Sequence, residues 1–227
     1  MQVVATKPRC VVYVDGYNWY HSIFRWRPEW KWLNIQSFFE YLRSREEVVA
    51  VKVFSAMVIH EPDACARQET YFKALKTLSK LKLILGLFQP REVTCRGTCR
   101  EKYHVQEEKK TDVNMAVEMM ADATSDNPPN RMCVVSGDSD IEPVVEWISK
   151  NKSFINVTVY VPALPADQSQ RRLDSFKTKR LRGVDCEFLP IDNLKDHQLK
   201  DAVKLGVGLF ASRPTSWCAG GAGSIVR

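Results

Sequence analysis

The sequence predicts an α/β protein with a mainly parallel central sheet. Three observations point there. Valine-rich runs alternate with amphipathic helical patterns along most of the 227 residues, and right-handed crossovers wind such an alternation into parallel sheet. Two of the runs, at 10–14 and 132–136, are almost wholly apolar, as strands covered on both faces must be. Each run ends in turn-forming and acidic residues: Asp15-Gly16-Tyr17-Asn18 after the first, Gly137-Asp138-Ser139-Asp140 after the second. The carboxyl ends of parallel strands line the ligand crevice of an open sheet, so these acids are candidate functional groups.

Taken in order, residues 1–9 are a lead-in, with Pro8 just before the first strand. An aromatic and basic patch follows from Trp19 to Trp32. Ile35, Phe38, Phe39 and Leu42 recur at helical spacing and predict a helix over 36–43. Residues 48–59 read as a strand, 66–80 as an amphipathic helix on Tyr71, Leu75 and Leu78, and 83–88 as a third strand. The polar, cysteine-bearing stretch 90–110 reads as an inserted loop or small hairpin. Thr111 is the expected N-cap of a helix whose buried stripe is Val113, Ala116, Val117 and Met120, stopped by the Asn/Pro-rich run 125–130. Strand 132–136, helix 141–149, strand 156–161, a basic helix over 169–181 and a short strand at 186–189 complete the body. The tail from about Ala211, with Gly220, Gly221 and Gly223, is expected to be loose. With no repeat and no clear linker, the economical division is one domain over 1–192 and an extension over 193–227. A strand order of 3-2-1-4-5 sets the first and fourth strands side by side, which brings their acidic ends together at the topological switch point.

The bulk numbers narrow the function. Thirty-three basic against 27 acidic residues give +6, a mild bias toward anionic partners. No apolar run approaches the roughly 20 residues of a membrane helix, and the N-terminus lacks a secretory pattern. An odd number of cysteines, seven, scattered through apolar segments fits a reducing compartment, and the expected location is cytoplasmic.

Asp15, Asp112, Asp138 and Asp140 stand at strand ends or at a helix start, where carboxylates can be aimed at one point. Two such charges about 4 Å apart repel by roughly 1 kcal/mol in water and about 4 at an effective dielectric of 20. A hard divalent ion removes that cost. Mg²⁺ or Mn²⁺ takes a few carboxylates and keeps several waters, and water of lowered pKa is a nucleophile for in-line attack on a phosphodiester. The plainer alternative is that Asp after a strand forms a turn and that Asp112 merely complements the helix dipole.

Val14-Asp15-Gly16-Tyr17-Asn18, Glu108-Lys109-Lys110-Thr111-Asp112-Val113-Asn114-Met115-Ala116 and Ser136-Gly137-Asp138-Ser139-Asp140 together resemble the three motifs of NYN domain proteins, within the PIN-like nuclease group. The order and the strand or helix context of each also match, over about residues 9–190. The resemblance implies a PIN-like three-layer α/β/α sandwich and metal-dependent cleavage of RNA. It makes Asp15, Asp112, Asp138 and Asp140 the acidic Mg²⁺ or Mn²⁺ site and Asn18 a polar helper, with Ser136 and Ser139 orienting the site. No histidine lies in any motif, so a Ser/His/Asp mechanism has no support.

Other clusters carry two readings each. Cys95 and Cys99, with His104 five residues on, offer three ligands to a structural Zn²⁺, or are reduced side chains on an exposed loop. Arg171, Arg172, Lys177, Lys179 and Arg180, with Lys109 and Lys110, either grip RNA phosphates or form solvated faces. Trp19, Trp26, Trp30 and Trp32, interleaved with Arg25, Arg27 and Lys31, either stack on unpaired bases or pack a flap against the domain or a second subunit. The packing reading is favoured, because tryptophan is costly to leave in water. The expected function is a metal-dependent ribonuclease, an endonuclease on single-stranded or loop RNA, with homo-oligomerisation left open. The alternative is an RNA- or protein-binding module of the same fold with little turnover. A phosphomonoesterase would need Asp-x-Asp at the first strand, where Asp15-Gly16-Tyr17 stands.

Overall fold

The computed structural model describes residues 6–59, 61–95, 97 and 99–218, apart from the side chains of Gln106, Lys177 and Lys179. Strand β1 (Arg9–Asp15) runs into a one-turn helix α1 (Gly16–Trp19), a π-helical turn (Tyr20–Phe24) and a 3-10 turn (Pro28–Trp30). Then come α2 (Ile35–Leu42), β2 (Glu47–Ser55), α3 (Pro62–Leu75), β3 (Leu81–Leu85) and a hairpin of β4 (Leu87–Thr94) and β5 (Lys102–Lys109). Helix α4 (Thr111–Thr124), β6 (Arg131–Val135), α5 (Glu142–Asn151), β7 (Asn156–Val161), α6 (Gln170–Asp174) and β8 (Val184–Phe188) complete the body. A second hairpin, β9 (Ala202–Gly206) and β10 (Leu209–Ser212), follows.

Six strands form one parallel sheet in the order β3-β2-β1-β6-β7-β8. The β4–β5 hairpin is a separate antiparallel pair. Counting central strands alone, the order is 3-2-1-4-5-6, the expected winding plus one edge strand. The reason is visible in β1. Cys10, Val12 and Val14 pack into one core with Phe38, Phe39, Phe72 and Leu75 from α2 and α3. Val11 and Tyr13 pack into the other with Met115 and Met119 of α4 and Val145 and Ile148 of α5. Alternating side chains point to opposite faces of a strand, so an all-apolar strand feeds two cores, and helices must cover both.

Helix α4 is held in place by charge as well as packing. The buried Lys52 of β2 donates to Glu118 and to Asp122, 2.7 Å each. Lys82 of β3 reaches Glu118 at 2.8 Å, and the Tyr13 hydroxyl donates to Asp122. These contacts fix both the rotation of α4 and the position of its first turn.

Several expectations differ from the structure. The buried stripe of α4 is Thr111, Met115, Met119 and Ala123, while Val113 and Val117 face solvent. Thr111 is not the N-cap; Lys110 is, in the left-handed region at φ 76° with no side-chain cap, and the Thr111 hydroxyl donates to Glu108. Local propensity favours a threonine cap, but the carboxylate opposite it wins the hydroxyl. The basic helix expected over 169–181 is shorter: α6 ends at Asp174, and a 3-10 turn (Lys177–Arg180) follows once Phe176 is buried in the core. The tail is packed through Trp217: Ala211 and Trp217 are buried, Trp32 Nε1 donates to the Lys200 carbonyl at 2.9 Å, and Leu199 N donates to the Trp32 carbonyl at 2.9 Å. Gly220, Gly221 and Gly223 lie outside the described residues. Among the described residues no helix is long and apolar enough to cross a membrane.

Candidate metal centre

The neighbouring ends of β1 and β6 build the centre. Asp15 closes β1, and its carboxylate caps α1 by accepting from Asn18 N at 2.9 Å. Its other oxygen accepts from Ser136 Oγ at 2.9 Å, and Ser136 Oγ in turn accepts from Asp138 N at 3.1 Å. Asn18 Oδ1 accepts from Gly137 N at 2.8 Å, so an amide bolts the two strand ends together. Asp138 caps the 3-10 turn Ser139–Ile141 by accepting from Asp140 N at 3.0 Å. The turn after β1 requires glycine: a Cβ on Gly16 would lie 2.8 Å from the Phe54 carbonyl oxygen.

Asp112, in the first turn of α4, faces these ends. Asp112, Asp138 and Asp140 each present a carboxylate oxygen, all within 4.8 Å of one another. Burial pushes the Asp112 carboxyl upward, and the charges of Asp138 and Asp140 push it further. Asp15 is not within that group of three. Burial raises its pKa to about 6, against the lowering effect of its Asn18 and Ser136 hydrogen bonds, with Asp112 and Asp138 adding repulsion. Three of the four expected acids therefore meet at ligand distance, and the fourth is a buried neighbour held by donors.

One more acid feels the charge of the centre. Glu108, the penultimate residue of β5, is half-buried, and burial raises it to about 7, with the Asp15 and Asp112 charges contributing. It lies inside the second of the three motifs, yet sequence reasoning does not pick it out as a site residue. The signal that could find it is its place at a strand end four residues before Asp112, hidden because reading 90–110 as a loop or small hairpin sets no strand boundaries there. Gly86, between β3 and β4, lets this region close: a Cβ there would lie 2.5 Å from the Lys109 carbonyl oxygen and 2.7 Å from Thr111 Oγ1.

Around the acids, the Arg172 guanidinium donates to the Pro162 carbonyl at 3.3 Å and reaches the Gly137 turn. A cleft of about 510 Å³ beside it is lined by Asn18, Gly137, Asp138, Ser139, Glu142 and Phe176. Arg171 and Arg180 are exposed, while the side chains of Lys177 and Lys179 lie outside the described residues. Lys109 is paired with Glu107 at 3.0 Å on the surface, and Lys110 is exposed. The three expected zinc ligands do not come together. Cys95 and Cys99 meet at the tip of the β4–β5 hairpin, where a hydrogen bond from Glu101 and then the Cys95 contact lower the Cys99 thiol. His104 pairs across the hairpin with Glu92, two positions inside the Thr94–Lys102 pair that precedes the tip. Among the described residues these three form no ligand group.

A sequence profile of the NYN domain matches residues 9–178. The chain belongs to the NYN domain family. The six-stranded parallel sheet with helices on both faces is the PIN-like sandwich of that nuclease family. A curated protein, 6-hydroxy-3-succinoylpyridine 3-monooxygenase HspA of Pseudomonas putida (strain DSM 28022 / S16), is 26% identical over 195 residues, covering 71% of this chain. The chain spans 62% of the length of that relative. A crystal structure of a protein of unknown function from Vibrio parahaemolyticus RIMD 2210633 matches with a TM-score of 0.52 and 21% identity, over 88% of this chain and all of the other, and shows the shared fold.

Proposed function

We propose that this NYN domain protein is a divalent-metal-dependent ribonuclease that cuts single-stranded or loop RNA internally. The observation that carries the reading is the convergence of Asp112, Asp138 and Asp140 within 4.8 Å. Oxygen-only donors suit Mg²⁺ or Mn²⁺, and across an octahedron of about 2.1 Å bonds opposite ligands lie about 4.2 Å apart, so small side-chain movements close the set. An ion held there would neutralise the three carboxylates and lower the pKa of a water it retains.

The chain's own residues do the rest. Asp15 and Ser136 hold the Asp138 turn, and Asn18 keeps the β1 and β6 ends in register. Glu108, raised toward neutral pH by burial, would take a proton from the attacking water. Arg172, beside Gly137, is suited to hold a phosphate next to the scissile one, and Arg171, Lys177, Lys179, Arg180, Lys109 and Lys110 would extend the basic track. Labelled single-stranded RNA with Mn²⁺ tests the reading: the wild type should cleave it, and Asp138→Asn should lose at least about 100-fold in rate. Equal RNA binding with no cleavage by either protein would instead leave a binding module.

The relative's name supplies a second reading, oxygenation of a small pyridine acid with O₂ and a two-electron donor. A cavity of about 600 Å³, lined by aromatic rings and cations, is the observation that favours it. Oxygen uptake on adding 6-hydroxy-3-succinoylpyridine and NADH would decide for that reading; none is expected.

A further inference from the structure

Helix α1 has two sides. Asp15 and Asn18 serve the metal centre, whereas Gly16, Tyr17 and Trp19 line the separate cavity of about 600 Å³. Its deep walls are apolar and aromatic, among them Trp19, Phe72 and Trp217, all buried. Two rings at the opening are exposed, Tyr17 at 40% and Tyr20 at 41%.

Charge on the cavity wall is lopsided. Arg25, Lys31 and Arg67 line it against one carboxylate, Glu61. Lys31 Nζ sits 5.0 Å from the centre of the Tyr20 ring and 5.9 Å from that of Trp217. Burial and then the Arg67 charge hold its ammonium below the usual lysine range, a condition an incoming anion would relieve. The volume falls within the roughly 300–1,000 Å³ of small-ligand sites. Rings for a planar face and cations for an anion describe a nucleotide.

We propose that this cavity takes one unstacked nucleobase of the RNA strand, with its phosphate against Arg25, Lys31 and Arg67. The proposal rests on the ribonuclease reading, because the cavity is walled by α1, the helix that Asp15 caps at the metal centre. It makes the cavity the place where the nucleotide next to the cut is selected.

The test is binding without cleavage, in EDTA, with a fluorescent single-stranded hexanucleotide and the same oligonucleotide carrying one abasic position. Scanning the abasic position should find one that weakens binding by about 10-fold, within the range for loss of one stacked base. Tyr20→Ala and Lys31→Gln should weaken the intact strand similarly, yet add little on the abasic one. Phe154→Ala, exposed and outside the cavity, should change neither. Equal binding at every abasic position, or unchanged binding by both cavity variants, would overturn the proposal. Mononucleotide binding as tight as the hexamer would assign the cavity to a free nucleotide and overturn the RNA assignment. If RNA is never cut but the abasic contrast holds, the ribonuclease reading falls and the cavity stands. Cleavage without that contrast keeps the ribonuclease and removes the base from the cavity.

Discussion

Asp15 offers the sharpest measurement. Its carboxyl has an ordinary pKa of 3.8 and about 6 in the fold, raised first by burial. A carboxyl raised on folding favours the folded state while protonated. That contribution is fully present below about pH 4 and is lost as pH rises through 6. The gap corresponds to about 3 kcal/mol at ~1.4 kcal/mol per pKa unit. Asp15→Asn keeps an acceptor for Asn18 N and removes the charge. In EDTA, the variant should match the wild type near pH 4 and exceed it by up to about 3 kcal/mol at pH 7.5, or roughly 6–12 °C in Tm for a chain of this size. The comparison is between variant and wild type at each pH, because titration of the other carboxylates then cancels. Thermal unfolding by circular dichroism reads it. With Mn²⁺ in excess the order should reverse, since the wild type alone keeps the full negative field around the ion. A variant less stable than wild type in EDTA at pH 7.5 would refute the picture of an acid held charged at a cost.

Other perturbations test the scaffold. Lys52→Met removes the buried cation that Glu118 and Asp122 share and should destabilise by about 2–4 kcal/mol in urea titrations, because breaking a buried pair strands the partner charge. Gly86→Ala sets a methyl group 2.5 Å from the Lys109 carbonyl oxygen; overpacking of that kind costs about 1–3 kcal/mol, and Mn²⁺ affinity by calorimetry should fall with it. Arg172→Ala should weaken RNA binding uniformly across sequences and flatten its dependence on salt by about one counterion.

Much of the sheet is legible in the sequence because its strands are apolar on both sides: residues 156–161 read as the strand they form, and the strand-end acids of β1 and β6 do meet. What the sequence hides has one cause, long-range contact. Helical periodicity alone cannot say which of two apolar arcs of α4 is inward, so Val113 and Val117 compete with Met115 and Met119. The contacts of Lys52 and Tyr13 with Glu118 and Asp122 settle the rotation, and those partners are 66–109 positions apart. Glu108 escapes notice because Lys102–Lys109 alternates too weakly to announce a strand. The packing of the tail is hidden because Trp217 is buried through its distant partners Trp32 and Tyr71.

The first hairpin sits outside the main sheet, yet β5 runs from the cysteine tip to Glu108 and then through Lys110 into Asp112. Eight residues at about 3.4 Å each make a span of roughly 27 Å, with its acidic end packed against Gly86. The cysteine tip and two of the acids are therefore joined by one continuous run of backbone.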